Sequence, residues 1–305
     1  MTGGTGFLGR QIVEGCRRRG EDVTVLGLEE LPDTPTMVVD LTQPGIDLGE
    51  KSFDVVYHLA GLAHFIPKTD DDARKFFDVN VEGTKNLLSA LSLSEPPEAI
   101  LFVSTVAVYG LETGEMIAED QARQATDPYG LSKIDAEDVL HGWATGKNTR
   151  LSILRLPLVA GPNPVGNLGA MVSALKARRY VNIAGGRARR SMVLARDVAD
   201  AMPLAADHGG TYHLTDGHHP SFAELSSSLA GRIGVRQPGN LPKLPAHMLA
   251  AAGDALGWMT RKEMPFNSRK LGKMSASFTF SDEAAREQLK WSPSRVVDHP
   301  QDVVG

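Results

Sequence analysis

Apolar residues in the first half of the chain follow two alternating rhythms. Short runs read as buried strands: "DVTVLGL" at 22–28, "TMVVD" at 36–40, "FDVVYHLAG" at 53–61, "AILFVST" at 99–105 and "RLSILRLPLV" at 150–159. Between them the apolar positions take helical spacing. Residues 7, 8, 12, 13 and 16 form one such face, which Gly20 ends. A second helix is expected over 71–92, with Asp70 or Asp71 as its N-cap, and a third over 128–144, with a proline in its first turn. This alternation predicts an α/β fold, a doubly wound (Rossmann) parallel sheet with helices on both faces.

Past residue 160 the pattern loosens. Prolines and glycines cluster at 161–169 and 237–245, around expected helices at 195–207 and 221–234 and a strand at 211–216. We expect a dinucleotide-binding domain over 1–160, to which 191–216 returns. Residues 161–190 and 217–305 should form a smaller, mixed substrate-binding region.

Composition narrows the function classes. The 305 residues are 42% hydrophobic and 23% charged, with a net charge of -5. That balance gives no basic footprint for nucleic acid or an anionic membrane, so neither is expected as a partner. No stretch reaches the about 18 apolar residues of a membrane span. The nearest, "AHMLAAAGDALGWM" at 246–259, is short and carries Asp254. The single cysteine, Cys16, lies in the first expected helix and reads as a packing residue. It fits a reducing, cytoplasmic setting, and no metal site is expected.

Three segments carry candidate chemistry. Gly3, Gly6 and Gly9 are spaced as a loop that lets backbone N–H groups approach a pyrophosphate at a helix N-terminus. Near the end of the second strand, where an acidic residue often meets the adenosine ribose, stand Gly27 and then Glu29 and Glu30. With no Arg or Lys between 20 and 50 to take a 2′-phosphate, NAD is favoured, with NADP left open. The two glutamates serve equally well as solvated loop charges. Tyr129 and Lys133 lie four residues apart on one helical face. An ammonium beside the phenol would lower its pKa from about 10 and make it a usable general acid/base. Taken alone, the pair could also be an ordinary surface pair. Ser104 and Thr105 end the strand at 99–105, placing hydroxyls at the same sheet edge.

With these segments in place, the chain resembles the extended short-chain dehydrogenase/reductase family, the NAD-dependent epimerase/dehydratase group. The resemblance rests on "TGGTGFLG" (2–9), "DL" (40–41), "HLAG" (58–61), "NVEGTKNLL" (80–88), "VSTVAVYG" (103–110), "YGLSK" (129–133), "LRLPLVAGP" (154–162), "RRSMVLARDVADA" (189–201) and "LKWSP" (289–293). It implies that Gly3, Gly6, Phe7, Leu8 and Gly9 cradle the pyrophosphate and that Asp40 and Leu41 sit by the adenine. Leu59, Ala60, Gly61, Asn80, Ser104 and Pro157 would line the rest of the cofactor site. Thr105, Tyr129 and Lys133 would be catalytic, with Lys133 also a ribose ligand. Asn167 and Arg190 would hold a substrate diphosphate, Arg190 having also the plainer reading of a solvated charge. His64 would touch substrate or serve a structural role, and Asp197 would cap or brace its helix.

The implied activity is hydride transfer at C4 of a nucleotide-diphosphate sugar, as a 4-epimerase or a 4-keto reductase. A hydroxysteroid-type or other small-alcohol dehydrogenase is one alternative, and a non-catalytic NAD-sensing protein is another. Val106 and Ala107 stand where dehydratases of the family carry an acidic pair, which argues against 4,6-dehydration. A homodimer pairing through 71–92 and 128–144 is also implied. The family's opening strand precedes its glycine loop, whereas here the loop begins at Thr2. The first strand is therefore expected to be missing, and the native product to extend upstream.

Overall fold

The computed structural model describes residues 1–49, 51–63, 65–260 and 267–304. The expected alternation is present. Helix α1 (Phe7–Arg19) leads to β1 (Val25–Gly27), β2 (Thr36–Val38) and β3 (Val55–His58). Then come α2 (Asp70–Phe77), a π-helical turn over Asp78–Glu82, α3 (Gly83–Leu91) and β4 (Ala99–Thr105). β5 (Gly114–Ile117) precedes α4 (Pro128–Lys147) and β6 (Arg150–Leu156).

β3, β4 and β6 pair in parallel, Val55 opposite Ala99 and Ala99 opposite Arg150, so their C-terminal ends share one edge. Where the family's opening strand would lie, Thr2 alone bridges Leu26 of β1 and His58 of β3. Its N–H donates to Tyr57 O at 2.9 Å, and Leu26 N–H donates to Met1 O at 2.8 Å. That narrow join connects the β1–β2 pair to the larger sheet.

Side-chain alternation along β4 builds the two faces. Leu101 packs with Ile12 and Cys16 of α1, whereas Ile100 and Phe102 pack with Leu87 and Leu91 of α3 and Leu140 of α4. Cys16 is buried, and desolvation pushes its thiol up to about 12, as suits a packing residue. The N-cap of the second helix is neither Asp70 nor Asp71. Thr69 takes that position and its hydroxyl accepts from Asp72 N–H at 3.1 Å, leaving the three aspartates inside the first turn, where they complement the helix dipole.

Beyond β6 the chain forms β7 (Leu158–Ala160), α5 (Gly166–Lys176), β8 (Val181–Ile183), β9 (Met192–Leu194) and α6 (Ala195–His208). β10 (Gly210–Tyr212) returns to the main sheet beside β6, and α6 packs against α1. Asp197, in the first turn of α6, accepts from Ser294 N–H at 2.7 Å and so braces the C-terminal segment. The remainder comprises α7 (Phe222–Ile233), β11 (Gly239–Leu241), α8 (Lys243–Thr260), α9 (Ser268–Ser275), β12 (Phe278–Phe280), α10 (Glu283–Gln288) and α11 (Gln301–Val304). β7 pairs with β9, β8 with β11 and β5 with β12. A separate core of Leu168, Met171, Leu175, Leu225 and Leu229 lies under this region.

Candidate active site

The glycine loop folds tightly against the ends of β1 and β3. Gly3 has φ +70°, and a Cβ there would lie 2.7 Å from Ala60 N. A Cβ on Gly9 would collide with the Gly3 carbonyl and lie 2.8 Å from Gly4 Cα. Gly6 is the N-cap of α1, which has no side-chain cap and no acidic residue in its first turn. The N–H groups around Phe7, Leu8 and Gly9 are thus left for an anion. A cradle that a single methyl would fill, at an uncapped helix N-terminus, fits a dinucleotide pyrophosphate.

The neighbouring loops complete this edge. Ala60 N–H donates to Thr2 Oγ1 at 3.1 Å, holding Leu59, Ala60 and Gly61 beside the glycine turn. Asn80 is buried on the π-helical turn, an irregularity often found at functional sites. Its side chain accepts from Leu62 N–H at 2.7 Å and donates to Ser132 Oγ at 2.9 Å, tying the 61–62 loop to α4. His58 adds a second tie, with its ring nitrogens 2.7 Å from Thr2 Oγ1 and 2.9 Å from Thr84 Oγ1. Burial lowers its pKa to about 3, so it is a neutral strut. Asp40 is exposed and caps its own turn, accepting from Thr42 N–H at 2.9 Å, while Leu41 is buried beneath. Pro157 is buried directly after Leu156, the residue paired with Thr105.

Thr105 and Tyr129 meet. Asp127 caps α4 by accepting from Gly130 N–H at 3.0 Å, and Pro128 starts the helix, so Tyr129 is fixed in its first turn. A Cβ on Gly130 would lie 3.0 Å from Ala107 O, so glycine lets α4 approach the turn that follows Thr105. The Thr105 hydroxyl accepts from Ala107 N–H at 3.2 Å and lies close enough to the Tyr129 phenol to oppose the rise of its pKa. Lys133 is buried one turn further on, with its Nζ 4.0 Å from the centre of the Phe102 ring and 3.6 Å from where a Cβ on Gly61 would stand. The Gly61 loop, the end of β4 and the first turns of α4 thus gather at the C-terminal edge of the sheet.

The electrostatics differ from the expected picture. Burial raises the Tyr129 pKa, the hydrogen bond from Thr105 opposes that rise, and Lys133 is not among the groups that shift it. Burial also lowers Lys133 to about 7, with Glu137 opposing. The ammonium is itself desolvated, so the phenol is not loosened as the i, i+4 spacing suggested. Between pH 7 and the lysine's unfolded pKa of about 10.4, the unfolded chain holds more protons than the folded one. Stability therefore rises with pH across that window and the gain is lost as pH falls through about 7. Urea unfolding without added nucleotide should show this rise, and Lys133→Met should flatten it.

Two positions expected at the site are used otherwise. Ser104 directs its hydroxyl to Glu137 Oε1 at 2.5 Å, away from the cofactor role expected of it. Arg190, expected to hold a diphosphate, donates to the carbonyls of Ala276 at 2.5 Å and Lys273 at 2.6 Å and lies over the Phe222 ring. It braces α9 against β12, because main-chain carbonyls at the end of α9 offer the acceptors a guanidinium needs. Asn167 is exposed in the first turn of α5. His64 lies outside the described residues.

A buried network behind the cleft was missed from sequence. Glu137, fully buried, accepts from Ser104, from Arg155 Nη2 at 2.8 Å and from Arg123 Nη1 at 3.2 Å. Arg155 also donates to Tyr109 Oη at 3.1 Å, and that oxygen lies 2.7 Å from His213 Nε2. The signal was available, since Glu137 follows Lys133 by one helical turn and Arg155 sits in "LRLPLVAGP". Removing one partner of such a pair strands a buried charge. Glu137→Ala should lower unfolding free energy by about 3–5 kcal/mol, measured by urea denaturation.

A parallel sheet with a glycine cradle at its C-terminal edge defines a dinucleotide-binding α/β protein. Residues 1–214 match the NAD dependent epimerase/dehydratase family, and the chain belongs to that family. It is 40% identical over 128 residues to a UDP-glucose 4-epimerase of Mycoplasma genitalium, covering 40% of this chain and 37% of that protein, well under half of the relative's length. It is 25% identical over 297 residues to an N-acetyl-alpha-D-glucosaminyl-diphospho-ditrans,octacis-undecaprenol 4-epimerase of Escherichia coli O157:H7, covering 92% and 86%. Among solved structures, UDP-N-acetylglucosamine 4-epimerase from Bacillus cereus superposes with a TM-score of 0.74 at 20% identity, covering 98% of this chain and 96% of that one, a likeness of fold.

Proposed function

We propose that the chain is an NAD-dependent 4-epimerase of diphosphate-activated sugars, with Thr105, Tyr129 and Lys133 as its catalytic residues. The observation that carries this reading is the placement of Lys133 Nζ against Phe102 and the Gly61 loop, with Tyr129 one turn earlier on α4, at the edge that also holds the glycine cradle. Family membership and the activities named for the relatives support it. Gly3–Gly9 would hold the pyrophosphate, Lys133 and Asn80 would flank the nicotinamide ribose, and Glu29 or Glu30 would meet the adenosine ribose. Bound NAD supplies a reversible hydride acceptor.

Thr105 would hold the sugar's C4 oxygen by a hydrogen bond while Tyr129 takes its proton and later returns it. The phenol, raised by burial, keeps its proton at neutral pH in the free protein. The buried Lys133 ammonium, brought close as the ribose seats, would favour the phenolate during transfer. Val106 and Ala107 supply no acid for dehydration. Helices α2–α3 and α4, which lie side by side, would form the homodimer face.

The test is to incubate purified protein with UDP-glucose and UDP-N-acetylglucosamine and separate the products. Interconversion of 4-epimers without accumulation of reduced nicotinamide is expected. Stoichiometric reduced nicotinamide with an oxidised product would instead identify a dehydrogenase.

A further inference from the structure

Lys133 and Glu137 are successive buried charges on the sheet-facing side of α4, one helical turn apart. Lys133 Nζ stands over the Phe102 ring, and Glu137 Oε1 accepts from the Ser104 hydroxyl at 2.5 Å, so the two meet alternate residues on one face of β4. Both are cut off from water, Lys133 being 4% exposed and Glu137 0%. An ammonium in such a place needs a counter-charge.

The elements around Lys133 offer few. Phe102 of β4 is apolar, and Gly61 and the Asn80 amide beside it carry no charge. His58 of β3 is neutral, and burial keeps the proton on Tyr129, one turn earlier on α4. Among the described residues the carboxylate that acts on the ammonium is that of Glu137, and it opposes the fall that burial imposes.

The same carboxylate gathers the segments that carry the other two residues of the site. Ser104 directly precedes Thr105 at the end of β4. Arg123 donates to Glu137 Oε2 at 3.2 Å and lies in the stretch that leads to the Asp127 cap and Tyr129. Within that stretch, Ala125 N–H donates to Val108 O at 3.1 Å, just past Thr105. Arg155 of β6 donates to both carboxylate oxygens, at 3.2 and 2.8 Å. Charge-assisted bonds of this kind fix the place of the carboxylate.

We propose that Glu137 is a positioning residue of the site: its carboxylate sets the end of β4 against α4 and keeps Lys133 an ammonium where the nicotinamide ribose would bind. This role rests on the NAD site proposed above. A carboxylate with a purely structural duty would cost stability when replaced, without moving the titration of Lys133.

Urea unfolding of the NAD-free protein against pH reads that titration, as the rise in stability that begins near pH 7. Each protein is compared with its Lys133→Met counterpart, which isolates the contribution of the lysine. In Glu137→Gln the onset should move down by about one unit or more, because the charge that favoured the ammonium is gone. Glu137→Asp loosens the hub but keeps the charge, so its onset should stay within about half a unit of the parent's. An unmoved onset in Glu137→Gln would overturn the proposal, as would one displaced by a full unit in Glu137→Asp. If Glu137→Gln does not fold, the aspartate variant decides alone. Titration with NAD gives the second readout. Binding should weaken as pH climbs through about 7 in the parent, and about one unit lower in Glu137→Gln. A pH-independent NAD affinity in the parent would contradict the ribose part of the role. Unfolding without NAD does not depend on sugar turnover, so this reading and the epimerase reading fail separately.

Discussion

Tyr129→Phe is expected to lower turnover by about 10²–10⁴-fold while NAD binding is retained. In the proposed mechanism the phenol is the group that moves the proton, and it stands in the first turn of α4 beside the end of β4. Phenylalanine keeps the ring that packs at 5.9 Å from Phe76, so the fold should survive and the loss should fall on kcat. Thr105→Val should cost less, about 10–100-fold, because it removes one hydrogen bond and leaves the acid/base. Steady-state kinetics with NAD titration checks both. Equal, small effects on the two variants would place the proton transfer elsewhere.

The second large effect is expected at Gly9. A methyl there meets the Gly3 carbonyl and Gly4 Cα, both main-chain atoms of the cradle, so the loop has to open. Gly9→Ala should cost about 1–3 kcal/mol of stability or more and abolish retention of NAD. Gly142 provides the internal contrast. It lies inside α4, and a methyl added there would have nothing within 4 Å, so Gly142→Ala should stabilise by about 0.5–1 kcal/mol and leave NAD binding unchanged. Urea unfolding and nucleotide titration of the two alanine variants distinguish a cradle from a merely glycine-rich loop.

Local pattern was enough for the elements whose burial is regular. The strand at 99–105 has the expected bounds, and α4 starts at the expected proline. The long second helix was legible as a helix but not as one broken by a π-helical turn, because the turn answers to the tertiary ties of Asn80 with Leu62 and Ser132. β5 and β12 were missed for a related reason. They are short and find their partners more than 160 residues apart in sequence.

At the site, spacing brought Tyr129 and Lys133 to one face but could not weigh burial against Coulomb attraction, so the direction of the Tyr129 shift was wrong. Ser104 and Arg190 show the other limit. Their residue types suit a cofactor and a phosphate, yet the fold offers Ser104 a buried carboxylate and Arg190 a set of main-chain carbonyls. Neither partner is adjacent in sequence.

In the proposed function the glycine cradle, Thr105 and the Tyr129/Lys133 pair act together to remove and restore hydrogen at C4 of a bound sugar. The most direct measurement follows UDP-glucose deuterated at C4 through the reaction, with the product examined by mass spectrometry and NMR. Retention of the label at C4 of the epimerised sugar is the predicted result. Label lost to solvent, or recovered on free reduced nicotinamide, would contradict it.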